Sequence, residues 1–355
     1  MKPYLIVGRG LSAFVLAHHL HQQKINFTII GKKNLSRASL VAAGIWNPVV
    51  LHSLSKSWQV DLFLPYLINF YRTLEKLLGT ALITNRTIIR PFSEKQEITL
   101  WEKKAQGEMR EYLDPVIYQQ EKNISGLYSF PLGTGKIKGA GNLDIPFFIQ
   151  QSETFFQNKM LDETFNHNSI KIINEGLEYN KQFYRGIIFC EGHLMKNNPF
   201  FNYLPLKPVK GELINFVAKN LTMGDSILSK GKFILKMGSE YKAGSTFNWN
   251  TINEEPETDS KIEIEKKISE LIVGPFKTTA HRAGIRASVK DRRPLIGVHP
   301  KWPNLFLFNG FGSKGVLLTP YLANNLVNFI AGKESIMQEA DIARFNSYYL
   351  TNKKP

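Results

Sequence analysis

The sequence predicts an α/β fold: a Rossmann-like nucleotide-binding part, interrupted by an inserted, mostly antiparallel α+β part. Three observations carry this. A strand, a glycine turn, a helix and a second strand fill residues 4–31. Apolar runs that read as further core strands return far along the chain, at 185–189 and 305–308. Between them lie shorter runs, 212–217, 233–237 and 241–249, whose spacing reads as antiparallel strands.

The opening unit is the most specific. Tyr4-Leu5-Ile6-Val7 ends at Gly8-Arg9-Gly10, an apolar-periodic segment begins near Leu11, and Phe27-Thr28-Ile29-Ile30 follows. Gly8 permits the sharp turn. Gly10 lets backbone N–H groups approach a pyrophosphate, and Ala13 takes the third small position, where helix lies close to strand. The phosphates are expected at the positive end of the helix. Such units usually carry an acid after the second strand to hold a ribose. Here that place is Gly31, followed by Lys32 and Lys33, and no acid occurs before Asp61. The ribose must be held another way, and the field around the pyrophosphate is expected to be positive.

The 355 residues, 43% hydrophobic, allow two joined domains. Cys190 is the single cysteine, so no internal disulfide forms. It follows an apolar run and is expected as a buried strand thiol in a reducing compartment. The chain enters its first strand at once and has no apolar run long enough to span a bilayer, so a soluble cytoplasmic protein is expected. The net charge of +15 suits acidic partners, from small anions to nucleic acid. His18 and His19 lack acidic or cysteine partners at ligand spacing, so no metal is expected.

Taken in order, residues 32–48 are rich in small side chains (Ser36, Ala38, Ser39, Ala42, Ala43, Gly44) and allow close approach to something flat. Residues 62–78 read as an amphipathic helix with Leu62, Phe63, Leu67, Phe70, Tyr71, Leu74, Leu77 and Leu78 on one face. Residues 81–91 read as a strand and 102–111 as a charged helical piece. The glycines of 129–144 read as a loop-rich crossing. A helix over 145–160 and core strands over 170–173 and 185–189 follow. An acidic loop over 250–260 leads into a helix over 261–272. The strand 305–308 ends at Gly310-Phe311-Gly312-Ser313-Lys314-Gly315, which opens a helix over 316–330. A dinucleotide fold split in this way favours FAD, which threads through a core, over a simple NAD site.

These segments resemble one family. Gly8-Arg9-Gly10, the stretch from Ser39 through Ala43-Gly44-Ile45 to Pro48, Gly141-Asn142-Leu143-Asp144, Lys207-Pro208-Val209-Lys210-Gly211-Glu212, Gly244-Ser245-Thr246-Phe247, Gly284-Ile285-Arg286 with Asp291, Pro294 and Gly297, and Gly310 to Gly315 with Pro320 occur in one order along the chain. Together they resemble the FAD-dependent oxidoreductases of the D-amino-acid oxidase and glycine oxidase type. One branch is closer in motif: the FAD domain of the bifunctional enzyme that makes 5-methylaminomethyl-2-thiouridine in tRNA. It shares an Arg282, Arg286, Asp291, Pro294, Gly297 pattern, a Gly312-Ser313-Lys314-Gly315 turn and the missing ribose acid. The methyltransferase half of that enzyme has no counterpart here.

The resemblance implies a discontinuous FAD-binding domain over 1–90, 140–205 and 275–355, and a substrate domain over 91–139 and 206–274. It implies oxidation of the C–N bond of a small amine or amino acid, with hydride transfer to flavin N5 and hydrolysis of the imine. The expected cofactor-binding residues are Gly8, Arg9, Gly10, Leu11, Ser12, Ala13, Ser39, Ala43, Gly44, Gly312, Ser313, Lys314 and Gly315. Arg286 takes the place of the family's substrate arginine, where a guanidinium binds a carboxylate bidentately; its alternative role is a salt bridge to Asp291. Tyr241, Thr246 and Phe247 are candidate pocket walls, with ordinary strand packing as the alternative. Asp291 is expected to orient a turn, and no general base is evident. The competing reading is a tRNA-directed enzyme or tRNA-binding flavoprotein that uses Lys207, Lys210, Lys290, Arg292 and Arg293.

Overall fold

The computed structural model describes residues 2–33, 37–121, 124–173 and 176–351. Ser36 of the small-residue stretch lies outside them. The opening unit forms as read: β1 (Tyr4–Val7), α1 (Leu11–Gln22) and β2 (Phe27–Ile30). A six-stranded sheet is built on it, in the order Leu295–Val298, Leu305–Asn309, Gly186–Phe189, β1, β2, Met160–Leu161. All neighbours are parallel except the first pair.

The apolar runs are continuous because both faces of this sheet are covered. Tyr4 and Ile6 point to the cluster that contains α1 and the helix Gly315–Ile330. Leu5 and Val7 point the other way, to Leu177, Tyr184 and Phe201. Side chains of a strand alternate, so four consecutive apolar residues serve two cores. His18 and His19 belong to the packing of α1. His18 Nε2 lies 2.9 Å from Ser152 Oγ among phenylalanines, and His19 stacks on Phe70. Burial pushes their pKa values down, to about 3 and about 4, so both are neutral.

The second sheet has eight strands, in the order Lys277–Arg286, Val209–Val217, Glu240–Gly244, Lys232–Met237, Ser226–Lys230, Ile83–Pro91, Thr134–Leu143, Ile45–Trp46. It is antiparallel except where Ser226–Lys230 meets Ile83–Pro91. The helix Thr258–Ser269 covers one face through Ile264 and Ile268. Side chains of the other face, among them Leu213, Ile227 and Leu235, join the cluster that contains α1.

Four expectations need correction. The glycine-rich crossing is a ten-residue strand, Thr134–Leu143. Its glycines serve aromatic neighbours: a Cβ on Gly135 would lie 2.5 Å from Trp101, and one on Gly141 2.1 Å from Trp46. Those indoles donate to Asp114 O and Gly139 O. The helix Val60–Leu78 buries Phe63, Leu67, Phe70, Tyr71 and Leu74, but leaves Leu62 and Leu77 exposed at the margins of its apolar face. Ile170–Ile173 lies in a small three-stranded sheet and is not a core strand, and Ile172 is exposed. The strand expected over 241–249 stops at Gly244, and residues 246–248 bridge across instead to 210–212. No helix among the described residues is long and apolar enough to cross a membrane.

Gly141→Ala should lower stability by about 2 kcal/mol, because the added methyl meets an indole that backbone and core both fix. Urea denaturation measures this. Unchanged stability would contradict the packing of Trp46 on that strand.

Candidate active site

At the nucleotide end, Gly8 has φ +129°, and a Cβ there would lie 2.4 Å from Cys190 O. Only glycine allows β1 to turn this close to the end of the strand Gly186–Phe189. Gly10 is the N-cap of α1 and brings no side chain to cap the helix, and the first turn holds no acid. The Leu11 N–H donates to Ser39 Oγ at 3.1 Å. The helix Gly315–Ile330 begins in the same uncapped way after Lys314. Both positive helix ends are therefore available to an anion.

Both ends open on one cavity of about 650 Å³. Gly8, Arg9, Gly10, Leu11, Ser12, Ser39, Ala43, Gly44, Gly312, Ser313 and Gly315 line it, and Arg286 lines it from the second sheet. The chain thus brings together residues read from four separate segments. Five expected residues, Ala13, Tyr241, Thr246, Phe247 and Lys314, are not on its wall. Ala13 is fully buried in α1. Lys314 points its Nζ to Ser57 Oγ at 3.2 Å. Tyr241 packs on Phe216 and donates its hydroxyl to Leu221 O at 2.5 Å. Thr246 is buried, and its Oγ accepts from the Glu212 N–H.

The Arg9 side chain lies over the place of the missing acid. A Cβ on Gly31 would lie 3.1 Å from Arg9 Cγ, because the Arg9 side chain crosses this residue and donates to Gly31 O. Arg9 then pairs with Glu153 at 3.0 Å and Asp162 at 3.2 Å, and Arg37 lies 3.6 Å from Glu153. The positive field expected here is therefore partly neutralised. Acids reach the cavity from elsewhere: Glu163 and Glu191 line it. Glu191 accepts from Asn198 Nδ2 at 2.7 Å and sits 2.8 Å from His167 Nε2. Sequence reading missed Glu191, although its place just past the end of a parallel strand was a usable signal. Cys190 beside it is a buried free thiol whose pKa burial raises, as expected of a strand cysteine.

At the other end stands Arg286. A Cβ on Gly211 would lie 2.0 Å from Arg286 Nη2, so the guanidinium lies against that glycine's backbone. The Phe247 ring centre is 4.5 Å from its Cζ, and Nη1 donates to Thr246 O at 3.2 Å. No carboxylate among the described residues pairs with it. Asp291 instead pairs with Arg344 at 3.0 Å and accepts from the Arg293 N–H, orienting a turn as expected. Burial pushes the Arg286 pKa down to about 10, which leaves it charged at pH 7. Of the second-sheet strand residues on the cavity wall (Ile45, Ile88, Gly211, Leu213, Ile227, Ser229, Phe233, Gly284, Ile285 and Arg286), Arg286 alone is charged.

The residues fit FAD. An uncapped helix end behind a glycine turn suits a pyrophosphate, the small-sided segment 38–44 admits a flat ring system, and the cavity continues to the second sheet.

Comparison with known proteins agrees. Glycine oxidase of Pseudomonas aeruginosa is 26% identical over 155 residues, 43% of this chain and 42% of that protein. The tRNA 5-methylaminomethyl-2-thiouridine biosynthesis bifunctional protein MnmC of Legionella pneumophila is 22% identical over 384 residues, 94% of this chain and 55% of that protein. The chain thus spans about half the length, or less, of these curated relatives. The crystal structure of glycine oxidase from Geobacillus kaustophilus superposes with a TM-score of 0.79 at 18% identity, covering 97% of each chain, which shows a shared fold. Residues 4–328 match the family described as DAO, FAD dependent oxidoreductase, and the chain belongs to that family.

Proposed function

We propose that this protein oxidises the C–N bond of a small amine or amino acid that carries a carboxylate. The carrying observation is Arg286: a charged guanidinium on the cavity wall, held on both faces and at one nitrogen, with no acidic partner of its own among the described residues. Its remaining N–H groups suit a carboxylate, and the loss of solvent around it strengthens that pairing. The relatives called glycine oxidase support a small amino acid as substrate.

Bound FAD would supply the two-electron acceptor. The chain's own residues orient and shield. Arg286 anchors the carboxylate, so the amine carbon points into the cavity toward the nucleotide end. Leu213, Ile227 and Phe233 make that part of the wall apolar and keep water from it. With Arg286 as the charged group there, no side chain of this wall takes the amine proton, and the amine enters neutral. The substrate loses a hydride from carbon, the nitrogen lone pair closes the C=N bond, and water hydrolyses the imine. The turn Gly312–Gly315 and the helix end behind it would offer N–H donors to the negative charge that bound FAD gains on reduction. The division into 1–90, 140–205 and 275–355 against 91–139 and 206–274 is part of this proposal, with Arg286 carried by a strand of the second sheet. A cytoplasmic setting is part of it too.

A second reading has its own observation. Phe247 and Trp249 are 55% and 62% exposed and stack on each other at 6.1 Å beside Arg286. The adjoining segments expose Lys207, Lys290 and Arg292. An aromatic shelf with a basic rim suits a base in a nucleic acid, and MnmC supports tRNA. Lys210 takes no part, because it is fully buried.

Arg286→Ala should weaken a carboxylate substrate roughly 100-fold in KM while FAD stays bound, and Arg286→Lys should recover part of the loss. Steady-state kinetics and flavin absorbance measure both, and an unchanged KM would move the carboxylate elsewhere. For the second reading, filter binding of unfractionated tRNA should fall at least about tenfold between 50 and 200 mM salt. No binding at the lower salt would remove that reading.

A further inference from the structure

Lys210, Gly211 and Glu212 are consecutive residues of one strand, so Gly211 faces the cavity while Lys210 and Glu212 face away. The cavity face carries the Arg286 guanidinium. The opposite face carries two fully buried charges that the reaction does not use. Lys210 Nζ donates to Glu257 Oε1 and Asn253 Oδ1, both at 2.9 Å, and lies 3.5 Å from Glu212 Oε1. Glu212 Oε2 accepts the Glu257 N–H at 2.9 Å and lies 2.8 Å from His281 Nε2. Asn248 Nδ2 reaches Glu257 Oε2 at 3.3 Å. Every partner except His281 lies in the irregular stretch between the strand end Gly244 and the helix Thr258–Ser269.

That stretch also fixes the guanidinium. Its Thr246 O takes Arg286 Nη1, and its Phe247 covers the free face of the group. Residues 246–248 lie on 210–212 through the pairs Thr246 N to Glu212 O and Lys210 with Asn248. A buried charge set is costly unless each member is paired, so it grips the stretch in one register. We propose that Lys210, Glu212 and Glu257, with Asn253, form a positioning clamp for Arg286, setting its geometry toward a carboxylate from behind the sheet. This rests on the carboxylate role of Arg286 proposed above.

Glu257 and Asn253 sit at the edge of the cluster and are the two hydrogen-bond acceptors of Lys210 Nζ, so changing them releases the stretch from the strand and leaves Lys210 with Glu212 alone. The test uses the FAD-loaded protein and glycolate as carboxylate probe, titrated by the change in flavin absorbance. Glu257→Ala with Asn253→Ala should weaken glycolate roughly tenfold with flavin content near the parent value, and should lower the melting temperature, because the buried Lys210 ammonium loses both hydrogen-bond partners. Glu257→Gln, which can still accept from Lys210, should recover most of the affinity. In an Arg286→Ala background the same double change should do nothing further. If Arg286→Ala weakens glycolate and the double change does not, the clamp is wrong and the carboxylate site stands. If glycolate leaves the parent spectrum unmoved, or binds the Arg286→Ala protein as well as the parent, the carboxylate site itself fails and the clamp with it.

Discussion

A guanidinium resting on the bare backbone of a strand is the constraint around which the substrate side is arranged. Arg286 can lie where it does only because residue 211 has no side chain, a Cβ there falling 2.0 Å from Nη2. Planar, delocalised charge suits such a seat better than a compact ammonium does. Once seated, the group needs a second wall and a fixed edge, which Phe247 and the Thr246 carbonyl provide. What is left free is the edge toward the cavity. The alternation of Lys210-Gly211-Glu212 sets this guanidinium against one face of the strand and the buried ion cluster on the other, with the run 246–248 bridging to the same strand.

The nucleotide side obeys a different constraint, the closeness of backbone to backbone. Gly8 passes Cys190 O, and Gly44 (φ +71°) passes Leu143 O, where added Cβ atoms would fall 2.4 and 1.9 Å away. Helix N-termini whose own N-cap residues make no side-chain bond face the space these turns enclose. Arg9 illustrates how a familiar pattern is rebuilt. Its side chain lies over Gly31, and Glu163 and Glu191 bring negative charge to the cavity from just past the ends of other strands. The family fold is kept while one of its usual residues is displaced.

Much of this was legible in the chain. The first βαβ unit was, since its signals are local: a continuous apolar run, two glycines and helical periodicity within thirty residues. Arg286 was legible through its Gly284-Ile285-Arg286 setting. The strand Thr134–Leu143 was not, because the glycines that suggested turns make room for Trp46 and Trp101, which come from other segments. Lys210 looked like a surface cation because its partners Asn253 and Glu257 lie far along the chain. Tyr241 lies within an alternating strand whose register, not its composition, turns it away from the cavity. Contacts made across the fold leave little trace in a local pattern.

The most direct test of the central claim is an anaerobic titration of the FAD-loaded protein with glycine, sarcosine and proline, each beside the matching amine without its carboxylate, followed by visible absorbance. The account predicts that at least one carboxylate-bearing amine bleaches the flavin and that its decarboxylated partner does so far less well. Bleaching by neither, or equally by both, would contradict it.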